Sequence, residues 1–117
     1  MRRIAGDRAW NLAGHFGLEE FAAALDMAAL AVTNNTGTVH LAAALQTAVV
    51  DLYALTNPQH TPWKVAHRLL SHDVPCRNCY KSACPESHHQ CLLGVTVAQA
   101  VAAACDLWLD IHWRAAA

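Results

Sequence analysis

The sequence has no apolar run long enough to cross a membrane: Asp26, Asn34, Gln46, Asp51 and Asp106 interrupt every candidate before the roughly 18 residues a spanning helix needs. No secretory signal is expected either, since Met1, Arg2 and Arg3 lead to Gly6 and Asp7 and not to an apolar core. These two absences make a soluble, cytoplasmic protein the expectation. Nor is there a surplus of positive charge. The formal net charge is -1 and the basic residues are scattered, which argues against nucleic acid as a partner, because non-specific phosphate binding needs several clustered cations. No internal repeat or low-complexity linker divides the chain, and 117 residues allow one domain at most.

What the sequence does hold is alanine. The hydrophobic share of 55% exceeds the usual range because of alanine-rich stretches at 21–31 and 97–105, which favour helix. Leu18, Phe21, Ala22, Leu25 and Ala29 recur at helical spacing, with Glu19 and Glu20 in the first turn where the helix dipole favours acid, so a helix is expected over 18–29. A short β-prone run at 30–33, a turn at 34–37 and renewed helical spacing over 38–45 follow. The best strand is 48–54, nearly continuous in apolar residues as a strand covered on both faces should be, apart from the dissenting Asp51. A loop at 55–62 leads to an edge strand around 65–70, and residues 73–92 show no period and read as an irregular excursion. The last helix begins after Thr96, whose partner Gln99 completes a capping-box pattern, and Val97, Val101, Ala104, Cys105 and Trp108 form the expected apolar stripe. This alternation predicts an α/β, partly Rossmann-like fold with a short parallel sheet flanked by helices. Two good strands are few for such a sheet, so an exposed sheet edge available for self-association is expected.

In open α/β sheets ligands bind beyond the carboxyl ends of the strands, and residues 33–40 fall there. Gly37 permits close backbone approach, the helix starting near Thr38 offers unpaired amides to an anion, Thr36 adds a hydroxyl, and His40 shares their face one turn in. Spacing alone is equally met by an ordinary Asn-Gly turn and a core histidine.

The run Thr33-Asn34-Asn35-Thr36-Gly37-Thr38-Val39-His40-Leu41-Ala42-Ala43-Ala44-Leu45 resembles the serine-asparagine-aspartate-threonine-glycine-x-x-histidine-leucine-alanine-alanine-alanine-leucine stretch of family nine glycosyltransferases, the lipopolysaccharide heptosyltransferases. Leu55-Thr56-Asn57-Pro58-Gln59-His60-Thr61-Pro62-Trp63 resembles the family's next block. Val74-Pro75-Cys76-Arg77-Asn78-Cys79-Tyr80-Lys81 with Cys84-Pro85-Glu86-Ser87-His88-His89-Gln90-Cys91 resembles the one after it, in the same order. The resemblance implies a two-domain GT-B enzyme that moves heptose from ADP-heptose to the lipopolysaccharide inner core, working at the inner face of the cytoplasmic membrane. It implies that residues 1–117 are the later part of the C-terminal, donor-binding domain. Asn35, Thr36, Gly37 and His40 would then contact the sugar nucleotide, and no cofactor beyond that substrate would be required. Asn35 stands where the family usually has aspartate, which replaces an acceptor-only carboxylate with an amide that also donates. The lipopolysaccharide acceptor would be met by an N-terminal domain lying before Met1, together with the catalytic carboxylate, so no catalytic residue is assigned within this chain, which is expected to be inactive alone.

Cys76, Cys79, Cys84 and Cys91, with His88 and His89 among them, supply the ligand types of a structural zinc site, although they form one compact run and not two separated pairs. Reduced thiols are the simpler expectation in the cytoplasm, and a small Cys/His-rich, zinc-knuckle-like interaction module is the rival function. Cys105 reads as core, the four tryptophans as packing or interface anchors, and Glu19, Glu20 and Glu86 as helix-start or solvated acids.

Overall fold

In a computed structural model residues 6–116 are described, so the Met1–Arg3 start of the signal reading and Ala117 lie outside the described residues. The elements are α1 (Leu18–Asp26), β1 (Leu30–Asn34), α2 (Gly37–Ala44), β2 (Ala48–Leu52), β3 (His67–Leu70), a single turn α3 (Gln90–Leu93) and α4 (Val97–Ala116). The three strands form one parallel sheet in the order β1-β2-β3. The β-prone segment around 65–70 is thus a full member of the sheet, and both β1 and β3 are edges.

β2 is central, and its alternation builds two cores. Val49 points to one face, where it meets Leu25 of α1 and Val39 and Ala42 of α2. Ala48 and Val50 point to the other, where Leu107 of α4 covers them. All of these are buried, Val49, Val50 and Leu107 completely. The continuous apolar reading of this strand is therefore the pattern of a strand with helices on both sides. Between α1 and β2, the buried Thr47 hydroxyl donates to Leu25 O at 2.9 Å, a carbonyl at the helix end that also accepts from Ala28 N.

α4 begins as the sequence predicts: Gln99 N donates to Thr96 Oγ1 at 3.2 Å, and the Gln99 carboxamide oxygen accepts from Thr96 N at 2.8 Å. Its buried face differs from the expected one. Leu107 is the fully buried residue, joined by Ala103, Ala104 and Ile111, whereas Val97, Val101, Cys105 and Trp108 are exposed. Cys105 is therefore not core. Trp10, Trp63, Trp108 and Trp113 are likewise exposed, so none is a packing anchor of this core. The helix is apolar around much of its girth, so spacing alone does not choose a side. Arg68 of β3 chooses it, reaching Asp106 at 2.6 Å and Asp110 at 3.4 Å, two acids one helical turn apart. With those acids held over β3, the small Ala103 and Ala104 let the helix approach the sheet and Leu107 enters the core.

Candidate functional site

The parallel register sets Asn34, Leu52 and Leu70 side by side, so the loops leaving all three strands open on the same rim of the sheet. Asn35 extends the β1–β2 ladder by one bond, donating from its backbone to Leu52 O. Thr36 is the extended N-cap of α2, yet its side chain does not cap the helix; its hydroxyl turns back toward Asn34 O at 3.4 Å. The first amides of α2 are left without a side-chain cap, at the positive end of the helix dipole. Gly37 has an ordinary φ, and a Cβ there would meet nothing within 4 Å, so neither strain nor packing in this chain demands glycine. His40 is exposed one turn into α2 and is not a core histidine. Thr36, Gly37 and His40 thus stand together at the carboxyl end of β1, where the sequence placed them.

Asn35 ties this loop to the next. Its Nδ2 donates to Asp51 Oδ2 at 2.8 Å and to the backbone carbonyl of His60 at 2.6 Å. The second loop is organised around the buried Tyr53, whose hydroxyl donates to Asn57 O and accepts from Asn57 N, both at 2.9 Å. Asn57 also caps the 3-10 turn Pro58–His60 by accepting from Gln59 N. The third block then docks on the second: Asn78 N donates to Leu55 O and Tyr80 N to Thr56 O. The three sequence blocks are therefore consecutive layers of one rim.

Asp51 is the residue that sequence reasoning left unassigned. It is fully buried, on the same face of β2 as Val49, beneath α2. Its Oδ1 is buried with no hydrogen-bond partner among the described residues. Burial pushes its carboxyl above the ordinary 3.8, against the opposing pull of the Asn35 hydrogen bond and of the His40 and His67 imidazoles. The signal was available: one acid inside a run of valines is costly unless paired, and Asn35 is the residue that pairs it.

Residues 73–92 are irregular apart from α3, as expected. Cys76, Cys79, Cys84 and Cys91 all line one cavity of about 110 Å³, and Cys76 Sγ lies 3.5 Å from His88 Nε2. Among the described residues no three His, Cys, Asp or Glu side chains are arranged to hold a metal ion. The thiols are not equivalent. Backbone amides, that of His89 foremost and then those of residues 86, 88 and 87, draw Cys84 below the ordinary thiol range, while burial pushes Cys76 above it. No helix is long and apolar enough to cross a membrane among the described residues.

The family described as glycosyltransferase family 9 (heptosyltransferase) matches residues 1–90. Lipooligosaccharide heptosyltransferase 2 of Campylobacter jejuni is 29% identical over 85 residues, covering 71% of this chain and 27% of that protein. Lipopolysaccharide heptosyltransferase 2 of Escherichia coli is 32% identical over 93 residues, covering 76% of this chain and 26% of that protein. A crystal structure of a family 9 glycosyl transferase from Veillonella parvula superposes with a TM-score of 0.69 at 27% identity, over 83% of this chain and 28% of that one. The chain thus spans about a quarter of the length of the relatives it matches.

Proposed function

This chain belongs to glycosyltransferase family 9, the heptosyltransferase family, and from that premise we propose that it is the sugar-nucleotide-binding part of a GT-B enzyme that moves heptose from ADP-heptose to the inner core of lipopolysaccharide. The observation that carries this reading is the uncapped N-terminus of α2 at the carboxyl end of β1, flanked by the Thr36 hydroxyl and the exposed His40. Transfer of a glycosyl group leaves negative charge on the departing diphosphate, and oriented amides at a helix start neutralise such charge without a metal ion. In this role the Gly37 and Thr38 amides meet a phosphate oxygen, Thr36 adds a hydroxyl donor, and the His40 ring donates from the next turn. Glycine at position 37 then has its reason in the ligand, because the protein's own packing supplies none. The acceptor would be held by residues beyond this chain, in the cytoplasm at the inner face of the membrane, and the β1 edge, where Val32 is half exposed, is the place for a further strand or a second copy to pair.

Titration with ADP, followed by NMR at the Thr36 and Gly37 amides and the His40 ring, tests the site. Shifts concentrated on those three are expected. Shifts confined to other residues while these stay silent would place the nucleotide elsewhere.

A further inference from the structure

We propose that Asp51 is a positioning residue that locks the Asn35 amide so that its carbonyl oxygen, and not its amino group, faces a hydroxyl of the donor sugar; this rests on the donor-binding reading above. The orientation of the Asn35 amide follows from its neighbours. The His60 backbone carbonyl is only ever an acceptor, so the Asn35 atom 2.6 Å from it is Nδ2. Nδ2 has two hydrogens, and the second goes to Asp51 Oδ2 at 2.8 Å. Both donors of the amide are spent inside the protein, and Oδ1 is the atom of that side chain left to meet a ligand. An asparagine held in this way presents what an aspartate would present at the same place, an acceptor and no donor.

Asp51 itself has no accessible surface, so it acts on a ligand only through Asn35. Packing gives no reason for it either. It occupies a central strand position next to Val49 and Val50, and one of its oxygens is buried without a partner among the described residues, which is a cost to the fold. A valine would fill that position without the cost. The carboxylate therefore has its use at the rim, where it takes the amide hydrogen that the His60 carbonyl leaves over, so that neither N–H of Asn35 is offered to a ligand.

The experiment measures the affinity of the full chain for ADP-glucose and for ADP by NMR titration, in the parent sequence and in Asp51→Val and Asp51→Asn. The parent is expected to prefer ADP-glucose. Asp51→Val is expected to fold at least as stably in thermal unfolding yet to lose about fivefold in that preference, the scale of one neutral hydrogen bond. Asp51→Asn keeps an acceptor oxygen for Asn35 and is expected to retain the preference. An unchanged preference in Asp51→Val, or equal losses in both variants, would overturn the positioning role while leaving donor binding intact, as would a parent chain that binds both probes equally. A parent chain that binds neither probe would remove the donor-binding reading, and this inference with it.

Discussion

Asp51 also governs how stability responds to acid. Burial raises its carboxyl above the ordinary 3.8, so the folded chain holds the proton more tightly than the unfolded chain. The resulting contribution to stability is fully present below 3.8 and is lost as pH rises through the raised value, with the native state losing stability across that window. In Asp51→Asn this component disappears. Urea unfolding of the two proteins from about pH 3.5 to 7 should show their stability difference growing with pH in favour of the variant; parallel curves would mean that the carboxyl titrates normally. The cysteines give a second residue-scale expectation. The thiolate is the reacting species, so Cys84, drawn down by the amides of the turn that follows it, should be alkylated by iodoacetamide faster and at lower pH than Cys76, which burial pushes up. Peptide mass spectrometry after timed quenching gives the order, and Cys76 reacting first would refute it.

At the scale of elements, α4 shows where sequence pattern is sufficient and where it is not. The start of the helix is a local matter between Thr96 and Gln99, three residues apart, and it was legible. Its buried side was not, because that choice is made by Arg68, which comes from β3 and grips Asp106 and Asp110 across the fold. The same division holds in the sheet. β1, β2 and the loop between them were legible from composition and spacing, since a valine-rich strand and a turn before a helix are local signals. The pairing of Asn35 with Asp51 was not legible, because Asn35 follows β1 while Asp51 lies in β2, and only the register of β1 against β2 brings them together. The face assignment of α4 has a direct check. Leu107→Ala should destabilise the chain by about 2 to 5 kcal/mol, as expected for emptying a fully buried leucine site, whereas Val101→Ala, on the exposed side, should change stability by less than about 0.5 kcal/mol. Denaturation midpoints that ranked the two the other way would return the buried stripe to the side that spacing alone suggested.

At the scale of the whole molecule, no further strand among the described residues pairs with β1 or β3, and much of the α4 surface, Val97, Val101, Trp108 and Leu109 among it, is uncovered apolar area. In the proposed reading the rim bearing Asn35, Thr36, Gly37 and His40 is one wall of a cleft, and this chain corresponds to 26–28% of the length of the relatives it matches. Glycosyl transfer needs the acceptor hydroxyl held against the anomeric carbon of the donor, and such orientation is worth roughly 7 to 11 kcal/mol of the barrier. On the proposed reading a single wall would forfeit that contribution and keep only the proposed diphosphate contacts, a few charge-assisted hydrogen bonds at a helix start. The expected outcome is that these 117 residues bind ADP with a Kd near millimolar, about 4 kcal/mol of binding free energy, and transfer no heptose to a lipopolysaccharide core acceptor. Adding the separately expressed remainder of a family 9 enzyme should restore some transfer if the two parts dock, and Gly37→Ala in the same mixture should weaken it if the diphosphate binds as proposed, because the added methyl touches nothing in the protein and would stand in the proposed contact. Transfer by the isolated chain at the rate of an intact enzyme would show that both walls of the site are already present here, and an unaffected Gly37→Ala mixture would move the diphosphate away from the start of α2.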